Sequence, residues 1–335
     1  MAKTVVIRGA VPVLAMPFDD DGAIDEDSLR REIDFCLEAG SQAICFGVGS
    51  ESNQLTDAER AQVWTLAALY LNGAAPLIAA TSHASREGTI ALTRLARECG
   101  VDCAMVNPQP RTGEGLVALF RDLSERVGLP LMIQDAAGNA PVDVLLRAAR
   151  DASTVVAAKL ESAGAPLKIA QFVAGLRETG HLAEDGAGHG TGHGTGRISV
   201  LGGAGGNYLP EELEAGAVGT MPHPAIIDAF RTVCDRYAAG DATGGYDVYL
   251  RQIAPLLRAV AIAGPGQGDG GGTMVWVHKA LLVRAGVLRT TYCRAGNTPA
   301  PETVMARVWQ HVERTGLLVA RRAAVGAQQV KHVES

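Results

Sequence analysis

The sequence is short of several features that would otherwise assign its class. Lysine and arginine number 30 against 36 aspartates and glutamates, for a net charge of −6. The basic excess that phosphate backbones or anionic lipid surfaces demand is therefore missing, which excludes nucleic acid as an expected partner. Six cysteines (Cys36, Cys45, Cys99, Cys103, Cys234 and Cys293) are scattered through a chain too large to need stapling, and no two have C-x-x-C spacing. They read as buried free thiols in a reducing compartment. Residues 1–18 lack the basic start, long apolar stretch and small-residue cleavage site of a signal peptide. No apolar run reaches the ~18 residues of a membrane span. These absences predict a cytoplasmic protein with no membrane partner. Nucleotide binding loses its two commonest signatures as well: no G-x-G-x-x-G follows the first strand, and no G-x-x-x-x-G-K-[ST] occurs.

What is present is ample apolar material. With 47% hydrophobic and 20% charged residues over 335 positions, the chain can bury a large core. Its length suits two domains of ordinary size or one α/β barrel. Strand-sized apolar runs recur at residues 11–16, 43–46, 77–80, 103–106, 131–133, 155–158, 198–201 and 217–221. Amphipathic stretches lie between them. Residues 27–38 put Leu29, Ile33, Cys36 and Leu37 on one face, and residues 115–127 group Leu116, Leu119, Phe120 and Leu123. Strand and helix alternating at roughly 30-residue intervals call for a parallel sheet. Eight such units in the first 220 residues match a closed (β/α)8 barrel. Residues 226–238, 246–263, 274–285 and 301–314 then read as helices. The predicted division is a barrel over 1–223 and a helical domain over 224–335.

Two glycine-rich stretches, 184–196 and 264–272, read as loops. His181, His189 and His193 bracket or lie in the first, but glycine-rich spacing is entropically expensive to order and no cysteine or carboxylate cluster completes a ligand set. A solvated loop is the better reading, and no metal is expected. That loop precedes a strand, which places it at the barrel end away from the usual active site. The run Gly202-Gly203-Ala204-Gly205-Gly206 follows a strand and reads as a tight strand-to-helix turn, with a phosphate nest as the alternative.

Barrel chemistry gathers at the C-terminal ends of the strands. There Lys159 closes the run Val155-Val156-Ala157-Ala158. Parity puts Val155, Ala157, Lys159 and Glu161 on one face and Val156, Ala158 and Leu160 on the other. If the first set faces inward, desolvation disfavours the lysine's charged form and frees an amine that can attack carbonyl carbon. On spacing alone, a lysine that caps the strand and reaches water is the ordinary alternative.

Residues 9–18 (GAVPVLAMPF), then Gly47-Val48-Gly49-Ser50-Glu51-Ser52 with Leu55-Thr56 and Glu59-Arg60, resemble the signature region of the dihydrodipicolinate synthase / N-acetylneuraminate lyase family. The correspondence continues through Ile78-Ala79-Ala80-Thr81, Val106-Asn107-Pro108, Glu114-Gly115-Leu116, Leu129-Pro130 and the Lys159 strand, and covers residues 9–318 apart from the two glycine-rich loops. The resemblance implies a (β/α)8 barrel with a C-terminal helical domain, commonly a dimer or homotetramer. It also implies a strand-six lysine, here Lys159, that forms a Schiff base with pyruvate or another 2-oxo acid without a metal or separate cofactor.

The departures from that pattern matter equally. Where the family ends the preceding strand in a proton-shuttling tyrosine, this chain has Gln134, an amide with no acid–base role near neutral pH. The family's central hydroxyl residues become Val48 and Gly49. Gly47, Val48 and Gly49 can still offer backbone N–H groups to a carboxylate, and Ser50 is the expected replacement hydroxyl. The synthase arginine that binds a carboxylate aligns near Asn139, and the tyrosine lent by a neighbouring subunit aligns near Gln109 or Pro110. Proton transfer then falls to Glu161, unless it merely pairs with an arginine, or to His223 in its proline-flanked setting, unless that is a structural loop histidine. His83 is a weaker choice, and Asp135 has the parity to point toward the helices. The predicted site is Lys159, Gln134 and Glu161 for catalysis, with Gly47, Val48, Gly49, Ser50, Asn139, Gly202 and His223 around the substrate. The expected activity is a Schiff-base lyase or aldolase on a 2-oxo acid, distinct from dihydrodipicolinate synthase. A dehydratase or hydratase-aldolase on a 2-oxo sugar acid, or a non-catalytic binding barrel, is the alternative.

Overall fold

The computed structural model describes residues 5–136, 140–183, 197–263 and 272–333, with no side-chain detail beyond residue 325. The loop expectations at 184–196 and 264–272, His189, His193 and Asn139 lie outside the described residues, Gly272 excepted.

Among the described residues, eight parallel strands alternate with helices: β1 (Gly9–Ala10), α1 (Glu26–Glu38), β2 (Ile44–Phe46), α2 (Asp57–Leu71), β3 (Leu77–Ala80), α3 (Arg86–Glu98), β4 (Cys103–Val106), α4 (Gly113–Arg126), β5 (Leu131–Asp135), α5 (Val142–Asp151), β6 (Val155–Leu160), α6 (Ala165–Glu178), β7 (Ser199–Leu201), α7 (Leu209–Glu214), β8 (Gly219–Thr220) and α8 (Ile227–Ala238). Strands β2 to β7 form one sheet in chain order, and β1 pairs with β8. Single bridges, Val13 to Cys45 and Gly202 to Thr220, join the two pieces into a closed barrel. Among the described residues, five further helices follow: α9 (Ala242–Val248), α10 (Ala254–Ala263), α11 (Thr273–Arg284), α12 (Glu302–Thr315) and α13 (Leu318–Val333). The α/β barrel with C-terminal helices expected from the sequence is what the chain forms. Helix α8 packs on β1, so the first helix past residue 223 belongs to the ring around the barrel.

Local chemistry sets the boundaries. Asp25 caps α1 by accepting from the Ser28 N–H at 3.0 Å. Thr56 and Glu59 form a reciprocal capping box on α2, which ends at Asn72 in the left-handed conformation. Along the strands, alternate residues divide two cores. Val13, Cys45, Ile78, Cys103, Met105, Met132, Ala157, Leu201 and Met221 fill the barrel, while the larger cluster lies between strands and helices.

The structure departs from the sequence reading in four places. The first run, 11–16, is not a regular strand: Pro12 lacks an N–H, so β1 is confined to two residues before it and only isolated backbone bonds continue beyond, such as Val13 N–H to the Pro222 carbonyl at 2.8 Å. In β6 the register slips between Leu131–Val155 and Met132–Ala157, so Val156 is an extra residue. Val155 therefore packs outside with the helices, while Val156 borders the barrel interior, and the predicted parity holds only from Ala157 onward. The helix predicted over 246–263 is broken into α9 and α10 by a wide π-type turn at Tyr249–Ile253. Helix α13 was not foreseen; among its described side chains, the buried apolar ones are Leu318, Val319 and Ala320 at its start.

Candidate active site

Beyond the bulge, β6 carries Lys159 inward to the C-terminal mouth of the barrel. Gln134 is its register partner on β5, and Leu201 its partner on β7. Lys159 is only 5% exposed. Below it lie Cys45, Met105 and Met132, the apolar floor that parity implies. Above it is a partner: Lys159 Nζ stands 2.9 Å from Glu161 Oε2. Glu161 Oε1 accepts from Gln134 Nε2 at 2.7 Å, and Oε2 also accepts from the Ala204 N–H at 3.2 Å. The Glu161 carboxyl thus holds Lys159, Gln134 and the turn after β7 together. Burial acts to raise its pKa, but the Lys159 charge and these hydrogen bonds outweigh burial and keep it below the ordinary carboxylate range.

The close approach of the β7 turn depends on glycine. A Cβ on Gly203 would lie 2.5 Å from Glu161 Oε2 and 2.8 Å from Lys159 Cε, too near for any side chain. Gly202 faces the other way: a Cβ there would collide with the Glu212 carboxyl. Gly202 is therefore not at the cavity as expected; Gly205 of the same turn lines it instead, because the run winds through a tight turn with positive φ at Ala204, Gly205 and Gly206. Glu212 is fully buried, and neither of its oxygens makes a hydrogen bond of normal geometry among the described residues. Burial, opposed by the Gly203 N–H and reinforced by Glu161, pushes its pKa up to about 8.

These residues open onto a cavity of about 430 Å³ whose lining includes Gly47, Val48, Gly49, Gln134, Lys159, Glu161 and His223. Seven of the ten predicted site residues thus meet at one place. Ser50 does not face the cavity: it is fully buried, and its hydroxyl accepts from the Gly47 N–H at 3.1 Å, closing the turn of its own loop. Met105 and Asn107 line the cavity and were missed, although the parity of β4 pointed to the first. Asp135 turns outward to an ion pair with Lys168 on α6, as its parity implied.

His223 stacks on His278 of α11 with ring centroids 4.9 Å apart. Its Nδ1 has no hydrogen-bond partner among the described residues. Burial, followed by the Lys159 charge, lowers its pKa to about 4, so the ring is neutral at physiological pH. His278 is also held well below the ordinary histidine value by burial. No sequence signal tied α11 to the site. The backbone of the Val48–Ser50 turn passes so near His223 that a Cβ on Gly49 would stand 2.8 Å from its Cε1. At the opposite barrel end, His181 Nδ1 lies 2.7 Å from the Thr179 carbonyl oxygen, and Leu182 bridges to Ile198 just before β7. Among the described residues, no three histidine, cysteine or carboxylate side chains converge as a metal site would require.

Comparison with known proteins agrees with this geometry. A dihydrodipicolinate synthetase family model matches residues 6–150. An L-2-keto-3-deoxyarabonate dehydratase from Azospirillum brasilense is 29% identical over 259 residues, covering 73% of this chain and 78% of that protein. A 4-hydroxy-tetrahydrodipicolinate synthase from Pseudomonas aeruginosa is 35% identical over 144 residues, 42% of this chain and 49% of the synthase, so the match spans about half of that relative. The crystal structure of dihydrodipicolinate synthase from Rhodopseudomonas palustris superposes with a TM-score of 0.77 at 24% identity, over 93% of this chain and all (100%) of that one. A prophage protein of the dihydrodipicolinic acid synthase family from E. coli K12, solved with pyruvate, superposes at 0.76 and 18% identity over 93% of this chain and 100% of that one. These likenesses in structure speak for the fold. The family model and the sequence matches make the chain similar to the dihydrodipicolinate synthetase family, whose enzymes are class I Schiff-base lyases, aldolases and dehydratases.

Proposed function

We propose that this protein is a Schiff-base lyase that binds a 2-oxo acid covalently through Lys159 and eliminates water from a 2-oxo-3-deoxy sugar acid. The observation that carries the reading is the Glu161 carboxylate, 2.9 Å from Lys159 Nζ and hydrogen-bonded to Gln134, the residue aligned with the family tyrosine. A separation of 2.9 Å is within reach of direct proton transfer. Glu161 takes the ammonium proton, and the freed amine attacks C2 of the substrate. The 2-oxo oxygen leaves as water, taking one proton from the amine nitrogen and the one Glu161 returns, which gives an iminium and restores the carboxylate. Its positive nitrogen acidifies C3, and Glu161 removes a C3 proton to form the enamine. The enamine electrons then expel the C4 hydroxyl, protonated by the same carboxyl as it leaves. Hydrolysis of the remaining iminium returns Lys159 and product. One carboxyl that takes a proton and gives it back suffices for elimination. Aldol cleavage needs a base at the C4 hydroxyl instead, and the tyrosine and hydroxyl residues the family would use are absent at Gln134 and Val48.

The A. brasilense relative carries a dehydratase name, which supports the reading. The losses at Gln134 and Val48 equally support poor synthesis of dihydrodipicolinate from pyruvate and aspartate semialdehyde. Gly47, Val48, Gly49 and His223 would surround the substrate's carboxylate and hydroxyl groups. A dimer or homotetramer, which rests on the family resemblance, and cytoplasmic residence, which rests on six cysteines that form no disulfide, belong to the same proposal. The test is borohydride reduction with pyruvate, then with a five-carbon 2-oxo-3-deoxy acid, followed by peptide mass mapping. A secondary-amine adduct on Lys159 is expected, together with water loss from the sugar acid. Release of pyruvate from that acid would identify retro-aldol cleavage instead, and absence of adduct and turnover would mark a non-catalytic barrel.

A further inference from the structure

Two consecutive residues of α11 reach both walls of the cavity from behind. Lys279 is fully buried, and its Nζ donates to Glu51 Oε1 at 2.6 Å and to the Tyr292 carbonyl at 2.6 Å. Glu51, equally buried, accepts from the Ala295 N–H through Oε2 at 2.9 Å. It is the residue that ends the Val48–Ser50 turn, and it stands in the left-handed region with φ 51°, a conformation that residues other than glycine seldom adopt. Its own N–H closes that turn on the Val48 carbonyl at 2.9 Å. On the other wall, His278 lies under His223 and accepts through Nδ1 from the Ala225 N–H at 3.3 Å.

We propose that His278 and Lys279 are positioning residues. Lys279 fixes the 47–50 loop through Glu51, His278 fixes His223, and α11 is thereby part of the substrate-binding unit. The cavity's role as a 2-oxo acid site rests on the function proposed above, whereas the brace does not. A buried ion pair seldom adds stability over an apolar packing of the same shape. What it supplies is direction. Lys279 can meet Glu51 and the Tyr292 carbonyl together in only a narrow set of positions, and the backbone that follows from Glu51 is the backbone of the cavity wall.

The test uses the full chain and the double variant Glu51→Gln/Lys279→Met, which removes both charges and leaves neither stranded. Hydrogen exchange read by mass spectrometry should show the 47–54 amides exchanging at least tenfold faster while β4 to β6 keep their protection. The pyruvate concentration for half-maximal borohydride trapping on Lys159 should rise at least fivefold, with wild-type extent at saturation. Unchanged exchange overturns the proposal, as does loosening with an unchanged half-saturation. A merely structural pair would lower the unfolding midpoint without moving either reading. If the wild type traps no 2-oxo acid, the Lys159 reading fails and exchange alone decides the brace: loosening confined to 47–54 upholds it, and none overturns it. If the double variant does not fold, His278→Gln carries the test, since it keeps a partner for Ala225 and removes the ring. Faster exchange over 221–226 supports the proposal, and wild-type exchange there overturns it.

Discussion

Among the described residues, two lysine–glutamate pairs lie largely out of solvent, and they differ in what can reach them. Lys159 and Glu161 stand two places apart on one strand end and line a cavity, with side-chain exposures of 6% and 15%. Lys279 and Glu51 come from opposite ends of the chain and are sealed, at 0% and 0%. Both pairs place a charge in poor solvent, where separation of the partners is penalised heavily. In the function proposed above, the open pair exchanges its internal partner for a substrate carbonyl or a water molecule, so its strength becomes proton-transfer chemistry. The sealed pair has no other partner to take, so its strength becomes position.

Four experiments break or sharpen that comparison. The largest effect belongs to Lys159→Ala, which should abolish the borohydride adduct and lower turnover by on the order of 10⁴–10⁶, because the covalent intermediate disappears with the amine. An adduct surviving in that variant would move the open pair out of the chemistry altogether. Glu161→Gln should lower kcat by about 10²–10⁴ while Lys159 still forms an adduct on long incubation with pyruvate. Steady-state rates set against peptide mapping separate the two functions. At the sealed pair, Lys279→Met or Glu51→Gln alone should destabilise the fold by about 3–5 kcal/mol in urea unfolding, with the double variant recovering most of the loss. If Glu161→Gln proves equally destabilising, the distinction between the pairs collapses.

The smallest effects are pH-dependent, with opposite signs at neighbouring carboxyls. Glu161 is held below the ordinary range, first against burial and then by Lys159, so its contribution to stability is full above the unfolded glutamate value of about 4.3 and is lost as pH falls through its folded value. Glu161→Gln should therefore approach wild-type stability in acid. Glu212 is raised to about 8, mainly by burial. Its contribution is full below about 4.3 and is lost as pH rises toward 8, so Glu212→Gln should become more stable than the wild type across that interval. Urea midpoints measured from pH 4 to 9 read both trends, and parallel curves for the two variants would refute the assignment.

Much of the barrel could be read from periodicity, because strands buried on both faces must be short apolar runs and their helices must carry one apolar stripe. The runs at 77–80 and 103–106 coincide with β3 and β4. The boundaries that failed did so for backbone reasons that hydrophobicity does not encode: a proline in the first run, and an inserted residue at Val156 that reverses parity for Val155 and Val156. Lys159, Gln134 and Glu161 were within reach because consecutive strand ends in a barrel face one mouth.

Ser50 and Gly202 were misplaced because turn geometry, not residue type, decides which atoms of a loop face a cavity. The sequence by itself determined the alternation of elements, a matter of local pattern; on spacing alone the lysine could face inward or merely cap its strand, and it was the family resemblance that favoured the first reading and marked Gln134 as standing in place of a tyrosine. Only the tertiary structure decided that Glu161 holds Lys159 and not an arginine, that His223 stacks on His278, and that Lys279 meets Glu51 across 228 positions of chain. Contacts between residues so far apart depend on how the closed barrel brings its ends and its trailing helices together, which no local pattern specifies.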